Sequence, residues 1–258
     1  RGLGDVYKRQ LKIHHLDARS DEFDSLVGMR SPDVLYHLAA RPRPAGTADD
    51  MAMSLRTTIA VLEAARRHRA GKVVVALPAT SLYGRPAARD LPVKEQPFEP
   101  RGVRGAIARA TIDLLTAYRE DEAVEFTALA LASVYGPRQR PDGGVVAAFR
   151  AAAAAGHPPQ ITGDGRQTRD FVFIDDVVDA LAKAGARGSG LVVNVGTGEQ
   201  TSIRSLWTAL AGSAAAEPEA VPAPITEIPR FAVSPVRARI HLSWSPWTSL
   251  ADGLAQLR

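Results

Sequence analysis

The chain contains no cysteine among its 258 residues. Disulfides, cysteine nucleophiles and cysteine-ligated metals are therefore excluded, which is consistent with a reducing, cytoplasmic location. No apolar run approaches the roughly 20 residues that span a bilayer, so we expect no membrane-spanning segment. The formal net charge is +4, but the basic residues are scattered and form no stripe with interleaved aromatics. This pattern argues against nucleic-acid binding.

A glycine-rich turn for a dinucleotide is also absent. Such a turn follows the first strand of dinucleotide-binding folds, where glycines let the backbone approach the pyrophosphate at a helix N-terminus. No G-x-x-G-x-x-G occurs in the chain, and Gly196-Thr197-Gly198, the nearest match, comes far downstream. On this evidence the chain should bind NAD poorly.

The first ten residues show neither helical nor strand periodicity. The string DVYKRQ, residues 5–10, can be back-translated into the mosaic end used in transposon-based sequencing libraries. We therefore expect residues 1–10 to be a foreign leader, with the native protein continuing upstream of Leu11. The alternative is a natural flexible terminus.

Apolar strands alternate with helices along the rest of the chain. We predict strands at residues 11–16, 33–39, 72–76, 125–132, 171–174 and 191–194, and helices at 48–68, 104–120, 145–155 and 202–212. Asp175 or Asp176 is expected to cap the helix that follows residues 171–174. Residues 213–229, rich in Ala and Pro, are expected to form a loop. Continuous apolar strands between helices predict a parallel sheet covered on both faces.

Three segments resemble a known family: VYGPRQRPDGGVV (134–146), GDGRQTRDFVFIDDVVDAL (163–181) and VVNVGTGEQTSI (192–203). They are similar to the extended short-chain dehydrogenase/reductases, the NAD-dependent epimerases and dehydratases of nucleotide sugars. The resemblance begins at the family's third strand. It implies an α/β fold, a Rossmann-like doubly wound parallel sheet lacking its first βαβ unit, with a smaller C-terminal substrate lobe. In this family the Gly196-Thr197-Gly198 position is a structural turn before a helix.

The implied domains are a partial NAD-binding Rossmann domain at residues 11–133 and a mainly substrate-binding lobe at 134–258, with strands returning to the Rossmann sheet. The order 3-2-1-4-5-6 places the absent first strand beside residues 33–39. We therefore expect a marginally stable fold with an open apolar edge at 33–39, unless residues 11–16 pair with that edge directly.

Four residues stand at positions that contact or support NAD in the family: Asp17, Ala39, Ala40 and Thr58. Asp17 matches the position that contacts the adenine, although a helix N-cap or a loop carboxylate would also explain it. Ala39 and Ala40 match small residues against which the cofactor lies, although ordinary strand-end packing is the alternative. Thr58 matches a threonine that supports the cofactor from below.

The catalytic positions of the family hold the wrong side chains. In the family a tyrosine is the general acid/base, a lysine lowers its pKa, and a serine or threonine bonds the reacting hydroxyl. The corresponding residues here are Arg104, Ala108 and Ala79. None of the five tyrosines begins a Tyr-x-x-x-Lys, so the spacing gives the same result without alignment.

The resemblance assigns four positions to the nucleotide sugar: Ser81, Ser133, Arg169 and Arg230. Arg169 matches an arginine that pairs with the diphosphate, since a guanidinium fork suits phosphate oxygens. The alternative is a salt bridge from Arg169 to Asp170 or Asp175. Ser81 has a hydroxyl in reach of the site but no base of its own.

Two functions follow from the resemblance. The first is an NAD-dependent nucleotide-sugar epimerase, most like a 4-epimerase of a UDP-hexose, impaired by loss of the triad; the dehydratase branch fits less well. The second is a non-catalytic relative that binds a nucleotide or acts as a scaffold. A decaying or misassembled gene would look the same. No metal, nucleic acid or membrane is implied, and a homodimer is possible.

Overall fold

The structure, a computed structural model, describes residues 12–39, 48–212, 216–224 and 226–257. Its helices are α1 Asp21–Arg30, α2 Ala48–His68, α3 Ala79–Tyr83, α4 Gly102–Glu122, α5 Val145–Ala155, α6 Ile174–Ala186, α7 Ile203–Ala211, α8 Val236–Leu242 and α9 Leu250–Ala255, with a 3-10 turn at Ala88–Asp90. Its strands are β1 Val34–His37, β2 Lys72–Pro78, β3 Phe126–Leu131, β4 Ser133–Tyr135, β5 Gln160–Thr162, β6 Thr168–Arg169, β7 Phe171–Phe173, β8 Leu191–Val195, β9 Thr201–Ser202 and β10 Glu219–Val221.

The central sheet runs in the order β1-β2-β3-β8, and all of its neighbouring strands are parallel. Val73, Val74 and Val75 in β2 are fully buried, as expected for a strand covered on both faces. Their alternation divides the core. Val73 and Val75 pack with α2 and α4, whereas Val74 packs with α6 and α8. The predicted α/β, doubly wound parallel sheet is confirmed.

A smaller lobe is built from short strand pairs and two helices. β4 pairs with β7, β5 with β10, and β6 with β9. Helices α5 and α7 close this lobe through an edge-to-face contact between Phe149 and Trp207, whose ring centroids are 5.4 Å apart. β10 corrects the prediction of a loop over 213–229, because Glu219–Val221 pairs in parallel with Gln160–Thr162.

The strand predicted at residues 11–16 is wrong over its described part. Residues 12–17 are exposed over most of their length and form no ladder. A short segment with Lys12, His14 and His15 buries too little apolar surface to form a strand without a hydrogen-bonded neighbour. Within the described ranges, β1 therefore has β2 as its sheet neighbour and exposes its other edge. Tyr36 is 45% exposed and the following Leu38 is 55% exposed.

Two helix starts differ from the prediction. Helix α1, which was not predicted, begins after Ser20, whose hydroxyl accepts from the backbone N–H of Phe23, with acidic residues in its first turn. Helix α6 begins after Phe173 and has no side-chain cap, so the prediction that Asp175 or Asp176 caps it is wrong. Asp176 is instead buried and accepts hydrogen bonds from the backbone and hydroxyl of Thr248, tying α6 to the C-terminal segment.

Other boundaries agree with the predictions to within about two residues, and α5 coincides with its predicted range. No helix in the described part of the chain is long and apolar enough to cross a membrane.

Candidate active site

A cavity of about 770 Å³ lies beyond the carboxyl ends of β2 and β3, where Pro78 and Leu131 line it. This is the place where ligands bind in open parallel sheets. Most of its wall is apolar. Its polar lining residues are Thr80, Ser133, Gln139, Gln160, Thr162, Gln167, Arg169 and Glu227. Across the described ranges, Arg169 and Glu227 are the lining residues that carry charge, so the cavity offers an ion pair and no histidine, lysine or tyrosine.

Arg169 enters the cavity from β6 and is fixed by protein groups. Its Nη1 donates to the backbone carbonyls of Thr168 and Ile228, both at 2.7 Å. Its Nη2 donates to the carboxylate of Glu227. The expected salt-bridge alternative is therefore half right: Arg169 forms an ion pair, but with Glu227 rather than with Asp170 or Asp175.

Asp170, next to Arg169, is fully buried and serves as a joint between distant segments. One carboxylate oxygen accepts from the backbone and hydroxyl of Thr197, at 2.9 and 2.7 Å. The other accepts from the backbone N–H groups of Gly198 and Val233. Burial raises the pKa of Asp170, and these hydrogen bonds partly offset the rise.

The Gly196-Thr197-Gly198 turn is thus an anchor for Asp170. A Cβ at Gly196 would lie 2.6 Å from an oxygen of Asp170 and 2.5 Å from the side chain of Val233. Glycine is required there by close packing against protein atoms, which supports the interpretation as a structural turn.

The catalytic positions predicted from sequence lie on α3 and α4. Ala79 opens α3 and is fully buried, and Ala108 is buried on the inner face of α4. Both belong to the apolar core that covers the sheet. Arg104 is exposed at the start of α4. None of the three lines the cavity.

Gly105 supports the alignment that assigns these positions. A Cβ at this residue would lie 2.8 Å from the Cβ of Pro100 and 3.0 Å from its carbonyl carbon. The family pattern places a glycine directly after the tyrosine, and Gly105 occupies that place in a contact that admits no side chain. The predicted alignment of α4 with the family pattern is therefore consistent with the packing at Gly105.

Tyr83, at the end of α3, is committed to the core. Its hydroxyl donates to Oδ1 of Asn194 at 2.7 Å, and the amide of Asn194 donates to the carbonyl of Val93 at 2.9 Å. Burial, with Glu95 nearby, raises the pKa of Tyr83 far above its usual range. The phenol stays neutral and holds three segments together, which excludes it as a replacement proton donor.

The cofactor positions are also engaged with protein groups. His37, at the end of β1, is buried with a ring nitrogen 3.0 Å from the hydroxyl of Thr58. That hydroxyl donates to the carbonyl of Ser54, so it accepts the proton of a neutral His37. Burial lowers the pKa of His37 to about 4. Thr58 is therefore a buried helix-to-strand contact whose hydroxyl proton is donated to the protein backbone.

Asp17 lies in the loop before α1, so the alternative of a loop carboxylate describes its structure. Its carboxylate pairs with Arg19, and this hydrogen bond lowers the pKa of Asp17 to about 2. Half of the side chain remains exposed, so a ligand can reach it. Ala39 is exposed beyond β1, whereas Ala40 lies outside the described residues.

The substrate positions are only partly brought together. Ser133 and Arg169 line the cavity, but Ser81 and Arg230 do not. Thr80, one residue before Ser81 in α3, lines the cavity instead. Arg230 is exposed in the segment after Pro229. Sequence reasoning missed Thr80, Gln139, Gln167 and Glu227. Thr80 adjoins the family motif, and Gln139 and Gln167 lie within two of the family-like segments, so these three had a signal.

The NAD dependent epimerase/dehydratase family model matches residues 4–196. The chain belongs to the NAD dependent epimerase/dehydratase family. It is 37% identical over 281 aligned residues to the UDP-glucose 4-epimerase of Mycolicibacterium smegmatis, covering 99% of this chain and 88% of that relative. The family resemblance proposed from the motifs is therefore confirmed.

Two solved structures of epimerases superimpose closely. UDP-glucose 4-epimerase with UDP-glucose from Thermotoga maritima gives a TM-score of 0.89 at 27% identity, covering 96% of this chain and 84% of that one. UDP-glucuronic acid 4-epimerase from Bacillus cereus, in complex with UDP-glucuronic acid and NAD, gives 0.83 at 25% identity, covering 98% and 83%. NAD is the cofactor of the family, which confirms that prediction at family level.

The described residues fit NAD in part. At the positions predicted for the adenosine end, Asp17 is half exposed and Ala39 is exposed. At the positions predicted for the tyrosine and lysine near the nicotinamide, the chain has Arg104 and Ala108. No metal-binding group of three or more His, Asp or Glu occurs in the part of the chain that the structure describes. The domain boundaries at residues 10 and 133 stay predictions.

Proposed function

We propose that this chain binds a nucleotide sugar, such as a UDP-hexose, in the 770 Å³ cavity, and that it does not epimerise that ligand at the rate of an ordinary 4-epimerase. The observation that carries the proposal is the chemistry of the cavity wall. The lining residues within the described ranges include no acid/base that is free of an ion pair, and the catalytic positions are an exposed arginine and two buried alanines.

The reaction of the family needs a proton to leave a sugar hydroxyl as hydride moves to NAD, which supplies the hydride acceptor when it is bound. Arg104 cannot perform this step because a guanidinium stays protonated near neutral pH. Glu227 is paired with Arg169, and the Tyr83 phenol is held in the core by Asn194. Loss of a positioned acid/base typically costs about 10²- to 10⁴-fold in rate.

The ligand class is supported by the cavity's location and by Arg169. The cavity lies where parallel sheets bind nucleotides, and a fixed guanidinium can hold a diphosphate. Relatives named as UDP-sugar epimerases at 37% and 27% identity support the uridine diphosphate moiety. We also propose a cytoplasmic location, which the lack of cysteine supports. We further propose a homodimer, and light scattering would test it by measuring the molar mass in solution.

The test is a coupled assay of UDP-galactose conversion to UDP-glucose with added NAD. We expect the chain to be at least about 100-fold slower than an ordinary epimerase. The double variant Arg104→Tyr with Ala108→Lys should gain activity. A matched control, Val103→Tyr with Ala108→Lys, places the phenol one residue out of helical phase and should gain none.

Turnover by the unmodified chain close to that of an ordinary epimerase would contradict the proposal. A rate gain in the control equal to that of the designed variant would show that α4 is aligned wrongly. A non-catalytic role as a nucleotide-binding or scaffold relative is the second candidate, favoured by the position of Arg169 in the cavity wall. It predicts UDP binding in calorimetry without turnover.

A further inference from the structure

Arg169 and Glu227 form an asymmetric pair inside the cavity. Arg169 is fixed by its two carbonyl acceptors as well as by Glu227. Glu227 is held by Arg169 and by a long hydrogen bond of 3.4 Å from the hydroxyl of Thr162. Their side chains are 18% and 23% exposed, so water screens the pair only in part. If the pair opens, Glu227 is the partner that moves.

The movement concerns the Glu227 side chain, because the backbone N–H of Glu227 donates to the carbonyl of Pro224, and the carbonyl of Pro229 accepts from the backbone N–H of Thr168. Residues 226–230 belong to no helix or strand. The carbonyl of Ile228, next to Glu227, accepts from Nη1 of Arg169 and keeps the guanidinium in place. A change in the Glu227 side chain therefore need not disturb the orientation of the guanidinium.

The pair also sets the charge of the cavity. The described lining carries one positive and one negative side chain, so its formal charge is zero. A diphosphate is multiply anionic, and the carboxylate of Glu227 occupies a donor that such a ligand would use. The carboxylate of Glu227 and a phosphate group held beside the same guanidinium would repel each other strongly, because solvent is partly excluded there.

We propose that Glu227 is a specificity-determining residue, whose carboxylate occupies the anion position beside Arg169 so that a diphosphate binds only by displacing it. This inference rests on the proposed function, because it assumes that a nucleotide sugar enters this cavity. It assigns to Glu227 a role as an internal competitor, which weakens the binding of phosphate ligands at Arg169. A neutral nucleoside makes no demand on Arg169 and is unaffected by the pair.

The experiment is calorimetry on the full chain with UDP and with uridine as probes. Glu227→Gln keeps the shape and removes the charge, and we expect it to bind UDP on the order of tenfold more tightly than wild type. Glu227→Ala should shift affinity in the same direction. Glu219→Gln, at an exposed glutamate in β10, is the matched control and should match wild type. Arg169→Ala should weaken UDP binding.

The outcomes separate the two claims. Equal or weaker UDP binding by both folded Glu227 variants, with clear binding by wild type, would overturn the role of Glu227 alone. An equal gain in uridine affinity would also overturn it, because the effect would then come from shape rather than charge. Absence of UDP binding in wild type and in Glu227→Gln would overturn the proposed function and this inference together. Thermal melting of each variant verifies that it is folded.

Discussion

The anion side of the cavity and the neighbouring cofactor side of the sheet use their polar groups differently. On the cofactor side, which we define as β1, α2, α3 and α4, buried polar side chains bond to protein groups: His37 to Thr58, and Tyr83 to Asn194 of β8. On the anion side, formed by β6 and residues 226–228, Arg169 and Glu227 face the cavity. The polar groups of the cofactor side are bonded within the protein, whereas those of the anion side line the cavity and carry charge.

The difference indicates what each polar group depends on. Ala79 and Ala108, at the predicted catalytic positions, pack in the apolar core without any polar contact to a ligand. Arg169 holds two backbone carbonyls as well as lining the cavity, so its loss would leave partly buried acceptors unpaired. A replacement at Arg169 would therefore cost the fold more than a replacement at a position that serves only a ligand.

The largest expected effect would break the anion side. In Asp170→Asn an amide NH₂ group would replace the oxygen that accepts from the backbone N–H groups of Gly198 and Val233, so these buried donors would lose their acceptor. We expect a loss of roughly 3 kcal/mol or more in the free energy of unfolding, measured by urea denaturation. Asp164→Asn, at an exposed carboxylate, is the control and should change little. A loss below about 1 kcal/mol would mean that the joint is not needed.

The sequence predicts the regular elements of the sheet better than the contacts that line the cavity. Strands β2 and β3 were predictable because they are apolar except for Lys72 and Thr127, and α5 because its alanine-rich run has clear ends. Glu227 was not, because it lies 58 residues from Arg169 in an irregular segment whose path depends on tertiary contacts. Residues 12–16 were mispredicted because a strand of that length exists only where a neighbour supplies its hydrogen bonds.

The second prediction concerns acid on the cofactor side. The folded state lowers the pKa of His37 from 6.5 to about 4, so it favours the neutral ring. The stability this contributes is present above pH 6.5 and is lost as pH falls toward 4, amounting to about 3 kcal/mol. His37→Gln should remove most of that loss between pH 7 and 4.5 in urea melts. His14→Gln, at an exposed histidine, is the control and should show the same loss of stability in acid as wild type. If His37→Gln lost as much stability in acid as wild type, groups other than His37 would be responsible.

The smallest expected effect concerns Tyr83 at the end of α3, whose hydroxyl is bonded within the protein rather than exposed to the cavity. Tyr83→Phe leaves Oδ1 of Asn194 without its donor and should cost about 1 to 2 kcal/mol at neutral pH. Because the fold raises the pKa of Tyr83, it favours the neutral phenol, and that contribution is lost as pH rises above about 10. The variant should therefore lose less stability than wild type in alkali. Tyr36→Phe, at an exposed tyrosine, is the control; a variant as alkali-sensitive as wild type would exclude this role for Tyr83.

The contact between Gly105 and Pro100 has an evolutionary consequence. Any side chain at Gly105 would collide with backbone and ring atoms of Pro100, so selection for a folded chain is enough to retain this glycine. In a lineage that lost the proposed catalytic residues, the helix would keep its position while the residues beside Gly105 changed. Activity would then be recoverable by few mutational steps, because the backbone would still hold the positions of the reacting groups.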